Sequence, residues 1–201
     1  ALSLLLKRFR DLPQASVLNM LLLRSMKQAT YEPENQGHFG LASDAYLHFT
    51  SPIRRYPDVV VHRAVHHLVQ SAKIDRSEQA KEMIADAARM ASQAERRAME
   101  VERGVTDLYR AFVMKDRLGE TYTGAVTAIV GSGVFVALDD PFVEVLVRSE
   151  DLGHEPFEQD DDGLFLVGAR SGDRIGLGDL MTVEIREVSL SRHTVYARRL
   201  S

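Results

Sequence analysis

The fold is decided in residues 111–130, which read AFVMKDRLGETYTGAVTAIV. Before Gly119 apolar side chains recur at the spacing of an α-helix, and after it they alternate as in a β-strand. We predict one long amphipathic helix from Ser77 to about Leu118, with Ser77 as its N-cap and Gly119 as the glycine that ends it. The apolar stripe of this helix comprises Ala80, Met83, Ile84, Ala87, Met90, Ala91, Ala94, Ala98, Val101, Val105, Leu108 and Phe112. The change of period predicts an α+β chain that is helical first and strand-rich afterwards.

Downstream of Gly119 the chain contains five short runs with strand periodicity, separated by Gly and Asp turns. The runs are residues 122–130, 133–138, 143–147, 181–188 and 194–198. Five short strands within residues 119–201 predict a small closed barrel such as an OB-fold. The stretch from Glu155 to Asp162 is predicted to be a loop and not a strand.

Upstream of the long helix, apolar residues at helical spacing predict two short helices. The first covers residues 2–9 and the second residues 17–26, with a break at Pro13 between them. The sequence has no initiator Met and already begins with a helix-like apolar pattern. We therefore expect this chain to be a piece of a longer protein.

The segment from Thr30 to Tyr56 loses this periodicity. Turn residues are interleaved there with aromatic and histidine side chains. Such a segment between helices is a favourable place for a binding site. Pro57 suits the first turn of a following helix, which we expect to extend to about Gln70.

Composition places the chain among ordinary globular proteins and excludes several kinds of site. Its 201 residues are 45% hydrophobic and 27% charged, and none is cysteine. A disulfide framework, a thiolate zinc site and a cysteine nucleophile are therefore excluded, and a reducing, cytoplasmic location is expected. Apolar runs such as residues 21–23 are far shorter than a membrane span, so no membrane partner is expected.

Charge is distributed unevenly along the chain. Residues 1–118 contain 18 Lys and Arg against 14 Asp and Glu, a net charge of +4. Residues 119–201 contain 7 against 15, a net charge of −8, and the two values sum to the −4 of the whole chain. An acidic module attracts phosphate backbones poorly through its net field, so any nucleic-acid binding there must depend on local geometry.

Several segments resemble a known enzyme family. Residues 37–42, GHFGLA, and 45–58, AYLHFTSPIRRYPD, resemble the carboxy-terminal end of the catalytic domain in the ribonuclease II and ribonuclease R (RNB) family, as do residues 22–31. Residues 119–201 resemble the OB-fold RNA-binding domain of the S1 type. The resemblance covers nearly the whole chain, and it implies two domains, residues 1–118 and residues 119–201.

The resemblance also implies an activity, a partner and a cofactor. Members of the family hydrolyse single-stranded RNA processively from 3′ to 5′, and they release nucleoside monophosphates with Mg²⁺. Their metal site is a cluster of aspartates in the amino-terminal part of the catalytic domain, which has no counterpart here. The acidic run Asp160–Asp162 does not match it. The resemblance therefore implies Mg²⁺ in the intact enzyme, no metal ligand in this chain, and no hydrolysis by this chain alone.

Two other functions stay open from the sequence. One is a non-catalytic RNA-binding adaptor that keeps the scaffold of the family. The other is a protein-interaction fragment, which the acidic barrel favours. A closely spaced aspartate cluster upstream of residue 1 would distinguish the enzyme from both.

Two arginines, Arg54 and Arg55, precede the helix that Pro57 opens. A guanidinium is a planar, permanently charged fork that suits bidentate phosphate binding, and helix N-termini also favour anions. By resemblance Arg54 matches the active-site arginine of the family, which would stabilise charge on the scissile phosphate. Arg55 is the neighbouring candidate for substrate binding. The alternative for either arginine is an ion pair with Asp58 or with an acid of the long helix.

Three rings in the aromatic segment are further substrate-binding candidates. Tyr31, His38 and His48 are predicted to stack on bases or to hold a ribose. The alternative is that rings of this segment pack the core between helices.

Other polar residues of the helical part receive no role, or an open one. His62 and His66 stand four apart on a predicted helix, but no HExxH glutamate accompanies them, so we assign no metal there. The family has a glutamate near its active site on the long helix. Its match is left open among Glu95, Glu100 and Glu102.

In the barrel, residues 131–136 read GSGVFV and resemble the glycine–aromatic turn of the S1-type domain. Phe135 would offer a stacking face, and stacking is worth about 1–3 kcal/mol per base. Ser132 stands where an aromatic is common and Arg148 where a histidine is common. This predicts weakened RNA binding, offset in part by a phosphate contact from Arg148. The alternative places Phe135 in the barrel core, because alternate strand residues face inward.

Overall fold

The structure of the chain is a computed structural model that describes residues 2–12, 15–160 and 164–200. It contains two compact units, one formed by residues 27–102 and the other by the residues on either side of that range. The end of the long helix therefore lies in the same unit as the strands. The division between residues 118 and 119, as a boundary between family domains, stays a prediction.

The described residues form four α-helices before the strands begin. They are α1 at Leu2–Phe9, α2 at Ala15–Ser25, α3 at Tyr56–Ser71 and α4 at Glu78–Met114. The sequence prediction of a helical first part is confirmed. The break predicted at Pro13 lies outside the described residues.

Helices α3 and α4 begin where the sequence predicts. Pro57 lies in the first turn of α3, where its missing N–H costs no helical hydrogen bond. Ser77 caps α4, because its Oγ accepts a hydrogen bond from the Ala80 N–H at 3.2 Å.

The end of α4 differs from the prediction. The helix ends at Met114, before Gly119, and the side chains of Ala111 and Met114 are completely buried. The Arg117 N–H donates to the Met114 carbonyl, which closes the last turn. Gly119 has a φ of +81° and its N–H donates to the Ile185 carbonyl, so it begins the connection into the strands. Sequence periodicity does not report these contacts, so it placed the end of the helix a few residues too late.

The predicted apolar stripe of α4 is largely exposed. Met83, Met90 and Phe112 are each about 60% exposed, at 60%, 61% and 61%, whereas Ala88, Ala111 and Met114, which lie outside the predicted stripe, are buried. The buried positions of α4 therefore include both small and large side chains, and they do not coincide with the predicted stripe. None of the described helices is both long and apolar enough to cross a membrane.

The strands form a closed barrel and a small separate sheet. In chain order they are β1 Thr121–Val130, β2 Gly133–Leu138, β3 Glu144–Arg148, β4 Phe157–Gln159, β5 Phe165–Gly168, β6 Arg174–Gly176, β7 Leu180–Ser189 and β8 Thr194–Arg199. The barrel has the order β1-β2-β3-β8-β7, with β3 and β8 parallel and the other pairs antiparallel. This is the predicted five-stranded OB-fold, and its core consists of alternate inward-facing residues. The core includes Val126, Val134, Val136, Val145, Val147, Val183, Ile185 and Ala197.

The small sheet between β3 and β7 was missed by the sequence analysis. β5 pairs antiparallel with both β4 and β6. The prediction of a loop from Glu155 to Asp162 is therefore wrong at Phe157–Gln159, while residues 161–162 lie outside the described residues. A three-residue strand is too short to show periodicity, and it is defined by its partner, β5. The Phe157 ring packs against the barrel core, which anchors this strand.

Candidate functional site

A tight turn precedes α3 and presents the two predicted arginines. The Ser51 carbonyl accepts hydrogen bonds from the Arg54 N–H at 3.2 Å and the Arg55 N–H at 3.1 Å. The Ser51 N–H donates to Asp58 Oδ1 at 2.7 Å. Asp58 belongs to the first turn of α3 and is fully buried, so this hydrogen bond connects the arginine turn to the helix on its buried side.

Arg55 forms an ion pair with Asp58. Arg55 Nη2 lies 2.8 Å from Asp58 Oδ1, and 21% of the Arg55 side chain is exposed. Burial opposes ionisation of Asp58, but hydrogen bonds from Arg55 and Ser51 outweigh it and lower the pKa of this carboxyl. The same hydrogen bond raises the pKa of Arg55. This is the ion pair with Asp58 that the sequence offered as the alternative to substrate binding by Arg55. Contact between Arg55 and a substrate stays a prediction.

Arg54 has a different environment from its neighbour. Its side chain is exposed, and no hydrogen bond or ion pair of its guanidinium is found among the residues that the structure describes. Its positive charge has the smallest of the effects on the Tyr31 hydroxyl, where it opposes the overall rise of that pKa. The Arg54 guanidinium is therefore available for an external anion.

Tyr31 and His48 form a hydrogen-bonded pair near the arginine turn. Tyr31 Oη lies 2.8 Å from His48 Nδ1, and the two rings meet edge to face with centroids 5.4 Å apart. The Tyr31 N–H donates to Ser92 Oγ at 2.9 Å, which ties this segment to α4. The pKa of Tyr31 is raised, first by burial and then by the negative charge of Glu95. Sequence reasoning missed Ser92, because nothing in its local sequence marks this contact.

His38 lies at the other end of a row of rings. Tyr46 connects it to His48, with centroid distances of 5.2 Å to His38 and 5.7 Å to His48. His38 Nδ1 accepts a hydrogen bond from the Leu41 N–H at 3.2 Å, and so caps a short 3-10 turn. His38 therefore has a local structural contact, and all three predicted rings, Tyr31, His38 and His48, line one cavity.

A cavity of about 760 Å³ opens beside these rings within the 27–102 unit. Tyr31, Tyr46 and His48 line it on one side, and α3 and α4 form its floor. Glu95 is among the residues that line the cavity.

The histidine pair on α3 is not arranged as a metal site. His62 Nε2 lies 2.7 Å from the Phe49 carbonyl oxygen, and its ring packs on the Phe49 ring at 4.3 Å. His66 contacts Gln70 one helical turn further on. Within residues 2–12, 15–160 and 164–200, no group of three or more His, Asp or Glu could hold a metal ion.

A second candidate surface lies on the outside of the barrel. Phe135, Leu146 and Tyr196 stand at paired positions on β2, β3 and β8. Val134 and Val136 on either side of Phe135 are completely buried, so Phe135 faces outward and is partly exposed. It lines a cavity of about 360 Å³ that also includes Arg110 of α4 and Arg192.

Arg148 and Arg192 both contact Tyr196, whose side chain is buried beneath this surface. The guanidinium of Arg148 lies over this ring, 3.9 Å from its centroid, and also pairs with Glu187 at 3.3 Å. Hydrogen bonding from Arg192, and further from Arg148, lowers the pKa of the Tyr196 hydroxyl despite burial. Two cations and an aromatic ring therefore meet on an otherwise acidic barrel. Sequence reasoning missed Tyr196 and Arg192, since only pairing of β3 with β8 brings them to Arg148.

Comparison with known proteins places the chain in a family. Residues 1–71 match the RNB domain. The chain is 39% identical over 199 residues to ribonuclease R of Escherichia coli, which covers 95% of this chain and 24% of that protein. It is 38% identical over 191 residues to ribonuclease R of Aquifex aeolicus, which covers 95% of this chain and 27% of that protein. The chain thus spans about a quarter of the length of these relatives.

Solved structures agree with the sequence relationship. The apo form of Mycoplasma genitalium RNase R matches with a TM-score of 0.88 and 25% identity, over 97% of this chain and 31% of that one. The same enzyme in complex with ribose methylated single-stranded RNA matches equally, with a TM-score of 0.88, 25% identity and the same coverage of 97% and 31%. The chain belongs to the ribonuclease R family of RNB-domain proteins.

Proposed function

We propose that this chain is the carboxy-terminal part of a cytoplasmic exoribonuclease that degrades single-stranded RNA from 3′ to 5′, releasing nucleoside 5′-monophosphates. The observation that carries the proposal is the exposed guanidinium of Arg54, which has no partner among the described residues, in a chain related over 95% of its length to proteins named ribonuclease R. The complex of a structural relative with single-stranded RNA supports the choice of substrate.

In this proposal Arg54 stabilises the charge that develops on the scissile phosphate. A permanently charged, planar guanidinium can bind two phosphate oxygens at once. The turn at Ser51 restrains the backbone of Arg54, while its side chain reaches solvent. Tyr31 and His48 would contact the sugar or base next to that phosphate, and Arg55 would support the turn.

The resemblance implies Mg²⁺, but the described residues do not fit a metal site, because none of their acidic and histidine side chains form a suitable cluster. We therefore assign no step of this chain to the metal. In the proposed enzyme its ligands come from a segment without a counterpart here.

The exposed apolar face of α4 supports the proposal that further protein packs against this chain. Met90, Val101 and Phe112 are 61%, 66% and 61% exposed, which is unusual for large apolar side chains on one helix.

We expect the purified 201-residue chain to release no mononucleotides from labelled single-stranded RNA with Mg²⁺ present. Release of mononucleotides by the pure chain would contradict the proposal.

Substitution of Arg54 in the full-length enzyme tests the catalytic role. Arg54→Ala should lower the single-turnover cleavage rate far more than it weakens RNA binding. Arg54→Lys should stay impaired, because an ammonium keeps the charge and loses the planar fork. Arg63→Ala, an exposed arginine on α3, is the matched control. Unchanged cleavage by a folded Arg54→Ala enzyme would show that the assignment is wrong.

We further propose that residues 119–201 act as an S1-type RNA-binding domain. The support is the outward position of Phe135 and the cationic surroundings of Tyr196. Phe135→Ala should weaken single-stranded RNA binding about 5- to 150-fold, equivalent to about 1–3 kcal/mol. Leu180→Ala, which removes a 77% exposed apolar side chain on β7 away from this cavity, is the control and should bind as the unchanged chain does. Equal affinity of both variants would remove Phe135 from the binding surface.

A non-catalytic RNA-binding adaptor is the second candidate function. It is favoured by the lack of a metal-binding cluster among the described residues and by the barrel surface around Tyr196. The two functions differ in the full-length protein. An adaptor would bind single-stranded RNA and leave it intact with Mg²⁺ present, whereas the enzyme would shorten it.

A further inference from the structure

We propose that Asp58 is a positioning residue for Arg54: its buried carboxylate holds the turn that aims the exposed guanidinium. This inference rests on the function proposed for Arg54. It assigns to Asp58 no contact with RNA, because its side chain is completely buried.

The carboxylate joins both ends of the arginine turn. Asp58 Oδ1 accepts from the Ser51 N–H at 2.7 Å and from Arg55 Nη2 at 2.8 Å. The Ser51 carbonyl in turn accepts from the Arg54 and Arg55 N–H groups at 3.2 and 3.1 Å. Arg54 therefore lies between two residues that are bound to the same oxygen of Asp58.

The energetics of this pair favour a role in geometry over a role in stability. A buried ion pair costs desolvation of both partners, and a well-packed apolar pair of similar volume is often at least as stable. Here the cost is not fully recovered, since Asp58 Oδ2 and Arg55 Nε are both buried without a hydrogen-bond partner in the described structure. An apolar pair would lack the oxygen, Asp58 Oδ1, that accepts hydrogen bonds from both Ser51 and Arg55.

The groups around Asp58 are the same ones that we assign to the substrate site. Arg55, and more weakly His48, act electrostatically on its carboxylate. The charges of Arg55, Asp58 and Arg54 all act on the Tyr31 hydroxyl. Removing the charge of Asp58 should therefore change the electrostatic environment of both the turn and Tyr31.

The substitution Asp58→Asn tests this role in the full-length enzyme. The amide keeps the volume and can still accept from the Ser51 N–H, but it loses the charge that orients Arg55. We expect single-turnover cleavage to fall about 10- to 100-fold, the order of loss that a misplacement of about 1 Å causes. The affinity for single-stranded RNA should change little. Asp86→Asn is the matched control, because Asp86 makes the same i,i+3 pair with Arg89 at 2.9 Å on an exposed helix face.

A double-mutant cycle separates positioning from a general structural effect. If Asp58 acts through Arg54, adding Asp58→Asn to Arg54→Ala should cause no further loss of cleavage. The inference would be overturned if the rate losses of the two single variants multiplied in the double variant. Full cleavage by a folded Asp58→Asn enzyme would also overturn it. If Asp58→Asn melts below the assay temperature, Arg55→Lys replaces it in the same cycle. Rate losses that multiply in that double variant would also overturn the inference. If Arg54→Ala itself cleaves normally, the proposed function of Arg54 fails, and the role of Asp58 fails with it.

Discussion

Gly133, at the start of β2, is the position where one added methyl group should damage the barrel most clearly. Its φ is +143°, a conformation that L side chains rarely adopt. A Cβ built there would lie 2.0 Å from the Val147 carbonyl oxygen and 2.8 Å from Arg148 Cα. Both atoms belong to the backbone of β3, so Gly133→Ala must force the two paired strands apart.

The magnitude follows from two contributions. Holding a non-glycine residue in such a backbone region costs about 1–3 kcal/mol. Separating β2 from β3 at the Gly133–Arg148 pair loses at least one hydrogen bond, worth about 1 kcal/mol. We therefore expect Gly133→Ala to lower the free energy of unfolding by about 2–4 kcal/mol. At about 4 °C per kcal/mol for a domain of this size, the Tm of the barrel should fall by at least about 8 °C.

Gly131 in the same turn is the matched control. A Cβ there meets no atom within 4 Å, and its φ is not in the left-handed region. In thermal melting of the whole chain, monitored by far-UV circular dichroism, the Tm of Gly131→Ala should equal that of the unchanged protein. The Tm of Gly133→Ala should be well below it. RNA affinity should fall with Gly133→Ala as well, because Phe135 and Arg148 lie on the two strands that separate. If both variants melt together, the close approach of β2 and β3 at Gly133 is wrong.

Three further predictions concern the core, the acid stability and a helix cap. Leu138→Ala, at a completely buried position, should cost about 2–5 kcal/mol in urea unfolding, whereas Val113→Ala, at a position 50% exposed, should stay within about 0.5 kcal/mol. The pKa of Glu155 is lowered, first by the Ser171 hydroxyl, so its stabilising effect is present above the ordinary carboxyl pKa and is lost as the pH falls through the lowered value. Tm measured from neutral to acidic pH should therefore fall less for Glu155→Gln than for the unchanged chain, and parallel curves would contradict this. Ser77→Ala should cost about 0.5–2 kcal/mol and reduce helical circular dichroism, and unchanged helicity and stability would show that the cap contributes nothing.

The sequence predicted candidate site residues, and the structure adds contacts between them that the sequence could not predict. Arg54 and Arg55 are adjacent and chemically equivalent in the sequence, and only the folded turn distinguishes them. Arg55 is directed to the buried Asp58, whereas Arg54 is exposed. Arg148 was predicted as a cation for phosphate, but its stacking on Tyr196 depends on a parallel strand pair that local sequence cannot reveal.

The sequence by itself determined the order and type of the main elements. The change of period at Gly119 predicted helices followed by a five-stranded barrel, and Ser77 predicted the start of α4, because capping and side-chain periodicity are local properties. Only the tertiary structure decided that α4 ends at Met114, that much of the predicted apolar stripe of α4 is exposed, and that β4–β6 form a second sheet. Each of these depends on contacts between residues distant in the chain, whose free energy outweighs local propensity when the two disagree.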